Sequence, residues 1–198
     1  AMLVSNPYEG ERRAGTVGLP LPDVEVRVVD GSGRPCPAGE IGDIQVRGPN
    51  VFKGYWRMPE KTAEEFTLDG FFRTGDVGRF DSDGYLSIVG RSKDLIITGG
   101  YNVYPKEIEA VIDELDGVLE SAVIGVPDPD FGEAVTAVIV PKQNARLDED
   151  AIITALKTRI ANFKVPKRTY FIDELPRNTM GKVQKNLLRE RFAQAASD

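Results

Sequence analysis

Near its C-terminal end the sequence reads L-P-R-N-T-M-G-K-V-Q-K, residues 175–185, with Lys182 directly after Gly181. A glycine–lysine pair suggests a phosphate cradle. A Walker loop, however, needs G-x-x-x-x-G-K-[ST] between a strand and a helix. Here Val183 follows the lysine, and no glycine stands five residues before Gly181. Lys182 therefore needs another explanation.

The rest of the composition narrows the chemistry. There is no histidine, which removes Ser-His-Asp and Cys-His triads and nearly all familiar zinc sites. The one cysteine, Cys36, lies in a Pro-Cys-Pro turn with no nearby base. It excludes an internal disulfide framework and fits a reducing, cytoplasmic compartment. No apolar run is long enough to span a bilayer, and the start lacks the regions of a signal peptide. Net charge is −6, which argues against nucleic acid or an anionic membrane as the main partner. Yet ten Lys and Arg residues fall between 157 and 191. That local basic region suits a small phosphorylated ligand, or simply a solvated surface with helix-end cations. A carboxylic acid is already ionised at neutral pH and can attack phosphorus without a general base. Such a reaction asks for positioning, magnesium and positive charge on the pentavalent phosphate. An arm bearing one lysine supplies charge that can arrive and leave.

The 198 residues suffice for one sizeable domain or two small ones, and the pattern divides in two. Residues 1–92 read as β-rich. V-E-V-R-V-V-D (24–30), I-G-D-I-Q-V-R (41–47) and G-Y-L-S-I-V-G (84–90) alternate or run apolar between glycine turns. One helix begins at Pro59. Short strands between glycine turns predict a small barrel or sandwich. Residues 93–198 read as α+β, a small sheet flanked by helices. Ile108, Val111, Ile112 and Leu115 share a helical face, and 121–126 and 134–140 are apolar strands that pair. Asp148 caps a second helix sending Ile153, Leu156, Ile160 and Phe163 inward. The strand T-Y-F-I-D, the Lys182 turn and a last helix follow. The polar stretch G-R-S-K-D (90–94) joins the halves.

Four segments occur in the order found in adenylate-forming enzymes: acyl-CoA synthetases, peptide-synthetase adenylation domains and luciferases. They are G-E-I-G-D-I-Q-V-R-G-P-N-V-F-K-G-Y-W (39–56), F-F-R-T-G-D (71–76), G-R-S-K-D-L-I-I-T-G-G-Y-N-V-Y-P-K-E-I-E (90–109) and P-R-N-T-M-G-K-V-Q-K (176–185). Each alone is weak. Four at these spacings are specific, and the resemblance covers nearly the whole chain. Within the superfamily, S-N-P-Y-E-G-E-R-R-A-G-T-V-G (5–18), N-V-F-K-G-Y-W-R-M-P-E-K-T (50–62) and 176–186 resemble malonyl-CoA synthetases, which make malonyl-CoA from malonate, ATP and coenzyme A.

The resemblance implies that the chain is the last subdomain of a large N-terminal adenylation domain plus the mobile C-terminal lid. The family's phosphate loop and Y-G-x-T-E segment would then lie upstream of residue 1, with Ala1 an extraneous residue. That missing part would bind most of the Mg2+ and be this chain's partner. The 198-residue piece alone would form no adenylate. Asp76 matches the aspartate that binds the ribose hydroxyls of ATP, and Arg91 the arginine that contacts ribose and phosphate. The alternatives are an ordinary turn aspartate and a surface salt bridge. Lys93 matches the hinge about which the lid alternates, or is a plain linker lysine. Gly99, Gly100 and Tyr101 match the hairpin that lines the pantetheine tunnel for coenzyme A, and the glycines equally suit a turn needing positive φ. Glu107 belongs to the same motif, or is first-turn helix charge. Lys157 and Arg159 are weaker candidates for coenzyme A phosphates. Lys182 matches the catalytic lysine that bridges the acyl carboxylate and the α-phosphate. Its exposed turn also makes it a target for a lysine acetyltransferase. Two other readings remain: an adenylation domain feeding a carrier protein, and an inert interaction module of the same fold. The ending A-Q-A-A-S-D after a single helix favours a stand-alone terminus over a carrier.

Overall fold

The computed structural model describes residues 2–194; Ala1 and the last four residues of A-Q-A-A-S-D lie outside the described residues. The chain divides into two compact units, Ala1–Lys93 and Asp94–Asp198.

In the first unit, β1 (Val4–Ser5) pairs antiparallel with β2 (Leu19–Pro20). The strands β3 (Glu25–Val29), β4 (Gly42–Arg47), β5 (Phe72–Phe80) and β6 (Leu86–Arg91) form a four-stranded antiparallel sheet in chain order. The helix α1 (Pro59–Glu65) precedes β5 and buries none of its residues. Period-two alternation sends Val28, Ile44, Val46 and Leu86 into one core, with Phe72 and Phe80 packed against it. Gln45, between two core residues, is also buried, and its Oε1 accepts a 2.9 Å bond from Arg27 Nε. Among the described residues the sheet stays open, with β3 and β6 as its edges, rather than closing into a barrel.

The sequence suggests a turn at T-G-D, whereas the structure runs β5 straight through it. Arg73 faces Gln45 and Val77 faces Asp43, so Thr74, Gly75 and Asp76 stand opposite Ile44 alone. The surplus is a bulge, and Gly75 absorbs it at φ 71°. Turn chemistry and bulge chemistry use the same residue types, which is why the motif reads as either.

In the second unit, β7 (Ile96–Thr98) and β8 (Tyr101–Val103) form a hairpin, followed by α2 (Pro105–Asp113). The long strands β9 (Val118–Asp128) and β10 (Gly132–Pro141) pair antiparallel along their length. Then come α3 (Glu149–Lys157), β11 (Arg168–Phe171) and α4 (Lys185–Gln194). The strand β10 is central. On its far side β11 runs parallel over residues 136–139, while β7 meets it at Gly132 only. Helices α2 and α3 cover one sheet face, packing Ile108, Ile112, Ile152 and Leu156 with Val123, Val135 and Ile139. On the other face α4 brings Leu188 and Phe192 against Ile124, Val126 and Val138. Burial on both faces explains why β9 and β10 are apolar without alternation.

Asp148 caps α3, accepting a 3.0 Å bond from Ala151 N. Phe163 does not follow the helical face. The helix ends at Lys157, the 3.6-residue period stops there, and Phe163 sits in a 3-10 turn at 39% exposure.

Candidate functional site

In the first unit, Asp76 and Arg91 meet. They are register partners across β5 and β6, and Arg91 Nε lies 2.8 Å from Asp76 Oδ1. The bulge aims the carboxylate. Thr74 Oγ1 donates to Ile44 O at 2.8 Å and accepts from Asp76 N at 3.0 Å, pinning the bulge to β4. Arg91 also reaches back to Thr74 O. The result is a carboxylate oriented by a guanidinium at a surface, an arrangement able to accept hydroxyl hydrogens from a vicinal diol. Thr74 was not singled out in the sequence, although it stands inside T-G-D.

Lys93 is the exposed middle residue of the 3-10 turn Ser92–Asp94 and the last residue of its unit. Its neighbours are tied within their own units. Ser92 Oγ donates to Asp43 at 2.6 Å, and Asp94 pairs with Arg189 at 2.7 Å.

Gly99 and Gly100 form the two-residue turn between β7 and β8, both with positive φ, 55° and 82°. That is the turn geometry whose twist suits a hairpin. At Gly99 space also matters, since a Cβ there would lie 3.3 Å from the Phe131 ring. Tyr101 stacks on Phe163 with ring centroids 4.7 Å apart. Beside them opens a cavity of about 450 Å³, lined in part by Gly99, Tyr101, Phe131, Phe163, Lys157 and Lys167. Lys167 Nζ lies 3.0 Å from the Phe131 ring centroid. Lys167 also pairs with Asp128 at 3.6 Å, so the aromatic faces beside the Lys157 ammonium are what suit a flat heteroaromatic ring carrying phosphate. Of the two weaker candidates, Lys157 lines this cavity, while Arg159 is engaged by Glu114. Glu107 holds Lys164 at 2.6 Å. Phe131 went unnoticed in the sequence, Phe163 was expected on an inward helix face, and Lys167 counted only within the basic region, because their partners are distant along the chain.

Lys182 sits at the end of a braced turn. Asn178 Oδ1 accepts from Met180 N at 3.0 Å and Lys182 N at 2.9 Å, and Asn178 N donates to Lys182 O at 2.9 Å. Arg177 donates to Gly181 O at 2.8 Å and also pairs with Glu120. Gly181 takes φ 77°, and a Cβ there would meet nothing within 4 Å, so the need is conformational rather than spatial. The turn fixes the backbone while leaving the Lys182 side chain exposed. Lys185, three residues on, is its opposite. Its Nζ lies 2.5 Å from Glu109 Oε1, with side-chain exposures of 16% and 6%, and the same oxygen accepts from Val123 N at 2.9 Å. No local sequence signal pairs Glu109 with Lys185.

Burial pushes the Cys36 thiol above its ordinary pKa, with Asp30, Glu40 and Asp43 adding to the effect, so it is a poor nucleophile. Among the described residues no cluster of His, Cys, Asp or Glu could hold a metal ion, and no helix is long and apolar enough to cross a membrane.

Residues 107–182 match the family described as AMP-binding enzyme C-terminal domain, and residues 1–56 match AMP-binding enzyme. The crystal structure of ATP-bound MatB from Rhodopseudomonas palustris superposes with a TM-score of 0.93 at 59% identity, covering 97% of this chain and 38% of that one. A feruloyl-CoA synthase from an Amycolatopsis species is 48% identical over 96% of this chain and 39% of its own length. A long-chain-fatty-acid–CoA ligase from Salmonella typhimurium is 43% identical over 96% of this chain and 34% of its own. The chain thus spans between a third and two fifths of these relatives.

Proposed function

The chain belongs to the AMP-binding, adenylate-forming enzyme family, and from that premise we propose that the enzyme containing it is an AMP-forming acid–CoA ligase. In this reading Asp76, held by Arg91, accepts the ribose hydroxyls of ATP. Lys182 bridges the acyl carboxylate and the α-phosphate while the acyl-adenylate forms. The lid then turns about Lys93, and the hairpin at Gly99, Gly100 and Tyr101 guides coenzyme A to the adenylate. The aromatic and cationic cavity beside Tyr101 supports coenzyme A as the acceptor over a carrier protein. No residue of this chain is assigned to Mg2+.

The observation that carries the reading is the Lys182 arm, rigid in its backbone and exposed in its charge. Its two neighbouring cations, Arg177 and Lys185, are both engaged by carboxylates. A lysine spared from such pairing is available to a phosphate, and equally to an acetyltransferase that would switch off the first step. Partnership with an upstream domain is supported by the first unit's surface. There Trp56 is 84% exposed and Leu68 fully so, beside a helix that buries nothing. We propose a cytoplasmic location, on the unpaired Cys36 of this chain.

For the acid, malonate is the reading favoured by the three stretches that resemble malonyl-CoA synthetases. The test is AMP release by the whole enzyme with ATP, magnesium and coenzyme A, comparing malonate, methylmalonate, acetate and octanoate. Malonate preference is expected; preference for a monocarboxylic acid overturns the substrate but leaves the chemistry. Lys182→Ala should slow adenylation ~10²–10³-fold and spare thioester formation from supplied acyl-adenylate. Equal loss of both steps overturns the role of Lys182. The isolated 198-residue chain should release no AMP.

A further inference from the structure

The β7–β8 hairpin buries Ile96 and Val103 in the core but has few backbone ties to its sheet. Its backbone meets β10 only at the bridge Thr98–Gly132, together with a 2.9 Å bond from Gly99 N to Phe131 O. Past that point β7 leaves β10, and Ile97 is placed awkwardly. In a hairpin with a two-residue turn, Thr98 and Tyr101 exchange hydrogen bonds, and Ile97 and Asn102 form the next, non-hydrogen-bonded pair. The Ile97 N–H therefore points away from β8, toward β10, where no backbone carbonyl receives it. A side chain does so instead: Glu133 Oε2 accepts the Ile97 N–H at 2.8 Å.

The space for that carboxylate is provided by a glycine. A Cβ on Gly125, in β9, would lie 2.4 Å from Glu133 Oε1 and 2.8 Å from its Cδ. Gly125 has no positive φ, so its backbone does not require glycine. What requires glycine there is the carboxylate lying over it. Gly125, Glu133 and Ile97, from three strands, form a matched set.

We propose that Glu133 is a positioning residue of the hairpin, a latch whose carboxylate, seated over Gly125, stands in for the absent strand acceptor at Ile97 and holds the Gly99–Gly100 tip in place for the thioester-forming step. The functional half of this rests on the reading of the hairpin as the coenzyme A guide. The structural half does not. Glu133 touches neither Lys182 nor its turn, so the adenylation step should be indifferent to it.

The latch makes a prediction that simple destabilisation does not. Gly125→Ala leaves the carboxylate in the protein but pushes it off its seat, so it should reproduce Glu133→Ala. The double variant should be no worse than either single one, because both break one bond. Glu133→Gln keeps an oxygen acceptor and should retain most of the effect of the native residue. The structural readout is hydrogen exchange of the Ile97 amide in the 198-residue chain. Its protection should fall about tenfold or more in Glu133→Ala and Gly125→Ala, as for loss of a charge-assisted bond. The kinetic readout is the two half-reactions in the whole enzyme. Thioester formation from supplied acyl-adenylate should slow, through a raised KM for coenzyme A, while adenylation is unchanged. Unchanged Ile97 exchange in Glu133→Ala overturns the latch itself. Raised exchange with both half-reactions intact overturns its part in thioester formation. Additive losses in the double variant overturn the shared mechanism. If the unaltered enzyme makes no thioester from any acid, the ligase reading fails, and the exchange experiment still decides the latch.

Discussion

Two lysines three residues apart, Lys182 and Lys185, should respond oppositely to removal. Lys185 and Glu109 form an ion pair of 16% and 6% side-chain exposure. Taking away one member of a buried pair strands the other and costs about 3–5 kcal/mol. Here Glu109 would keep the Val123 N–H at 2.9 Å, and Lys106 stands 3.7 Å away at its other oxygen. Both soften the loss, which places Lys185→Met at about 3 kcal/mol, the low end of that range. Lys182 is exposed, and Lys182→Ala should stay within about 0.5 kcal/mol of the parent. The assay is urea unfolding of the 198-residue chain followed by far-ultraviolet circular dichroism. Since α2, α3 and α4 all lie in Asp94–Asp198, the helical signal reports chiefly on that unit. The midpoint for Lys185→Met should fall by about 1–2 M, with Lys182→Ala nearly unmoved. Adding Glu109→Gln to Lys185→Met should recover part of the loss, because the stranded charge is gone. A Lys185→Met midpoint no lower than that of Lys182→Ala would refute the argument from burial.

Two more outcomes are expected. Thr74→Val removes both bonds that pin the β5 bulge, at 2.8 and 3.0 Å, and should cost about 1–2 kcal/mol in unfolding experiments on the chain. In the whole enzyme it should raise KM for ATP more than it lowers kcat, because it frees Asp76 without touching Lys182; a kcat loss alone would contradict this. The Asp69 carboxyl is held down to about 2 by its bond to Arg27, with Thr67 assisting. A depressed folded-state pKa contributes stability that is fully present above the unfolded value near 3.9 and is lost as pH falls through about 2. Carboxyl titration by NMR should place Asp69 there and move it toward the unfolded value in Arg27→Met, and an unmoved midpoint would show that Arg27 is not the cause.

What the sequence revealed, it revealed through local pattern. The α+β class, the pairing of β9 with β10, the Asp148 cap and the Gly99–Gly100 turn all depend on residues close in the chain. The Lys182 turn was equally legible, since Asn178 and Gly181 supply its hydrogen bonds and its positive φ within four residues. The errors also have local causes. T-G-D resembles a turn because a bulge and a turn both need a glycine at positive φ. Phe163 continues the spacing of Ile153, Leu156 and Ile160, but the helix stops at Lys157 and the periodicity no longer applies. The open sheet of the first unit could not be distinguished from a barrel, since alternation shows which face of a strand is buried but not whether the edges meet.

Two further unread residues, Glu109 and Glu133, share a different property: each is a carboxylate whose partner comes from another part of the fold. Glu109 borders the apolar face of α2 and reads as helix-surface charge, yet its ammonium partner lies 76 residues further on. Glu133 opens an apolar strand and reads as its solvated end, yet its acceptor role exists only because β7 leaves β10 just where it does. Such contacts answer a demand created by the fold, a buried ammonium or a strand N–H with no ladder, and that demand has no local spelling. They also lie behind the two elements that the proposed chemistry requires to be held in place. Glu109 anchors the helix that follows Lys182, and Glu133 secures the hairpin that carries Tyr101. If the lid serves two half-reactions by presenting first one element and then the other, each element needs its own anchor, independent of the other's. That independence is physical and measurable: loss of the Glu133 bond should leave the Lys182 turn's amide exchange unchanged, and loss of the Lys185 pair should leave Ile97 as protected as before, up to the point of global unfolding.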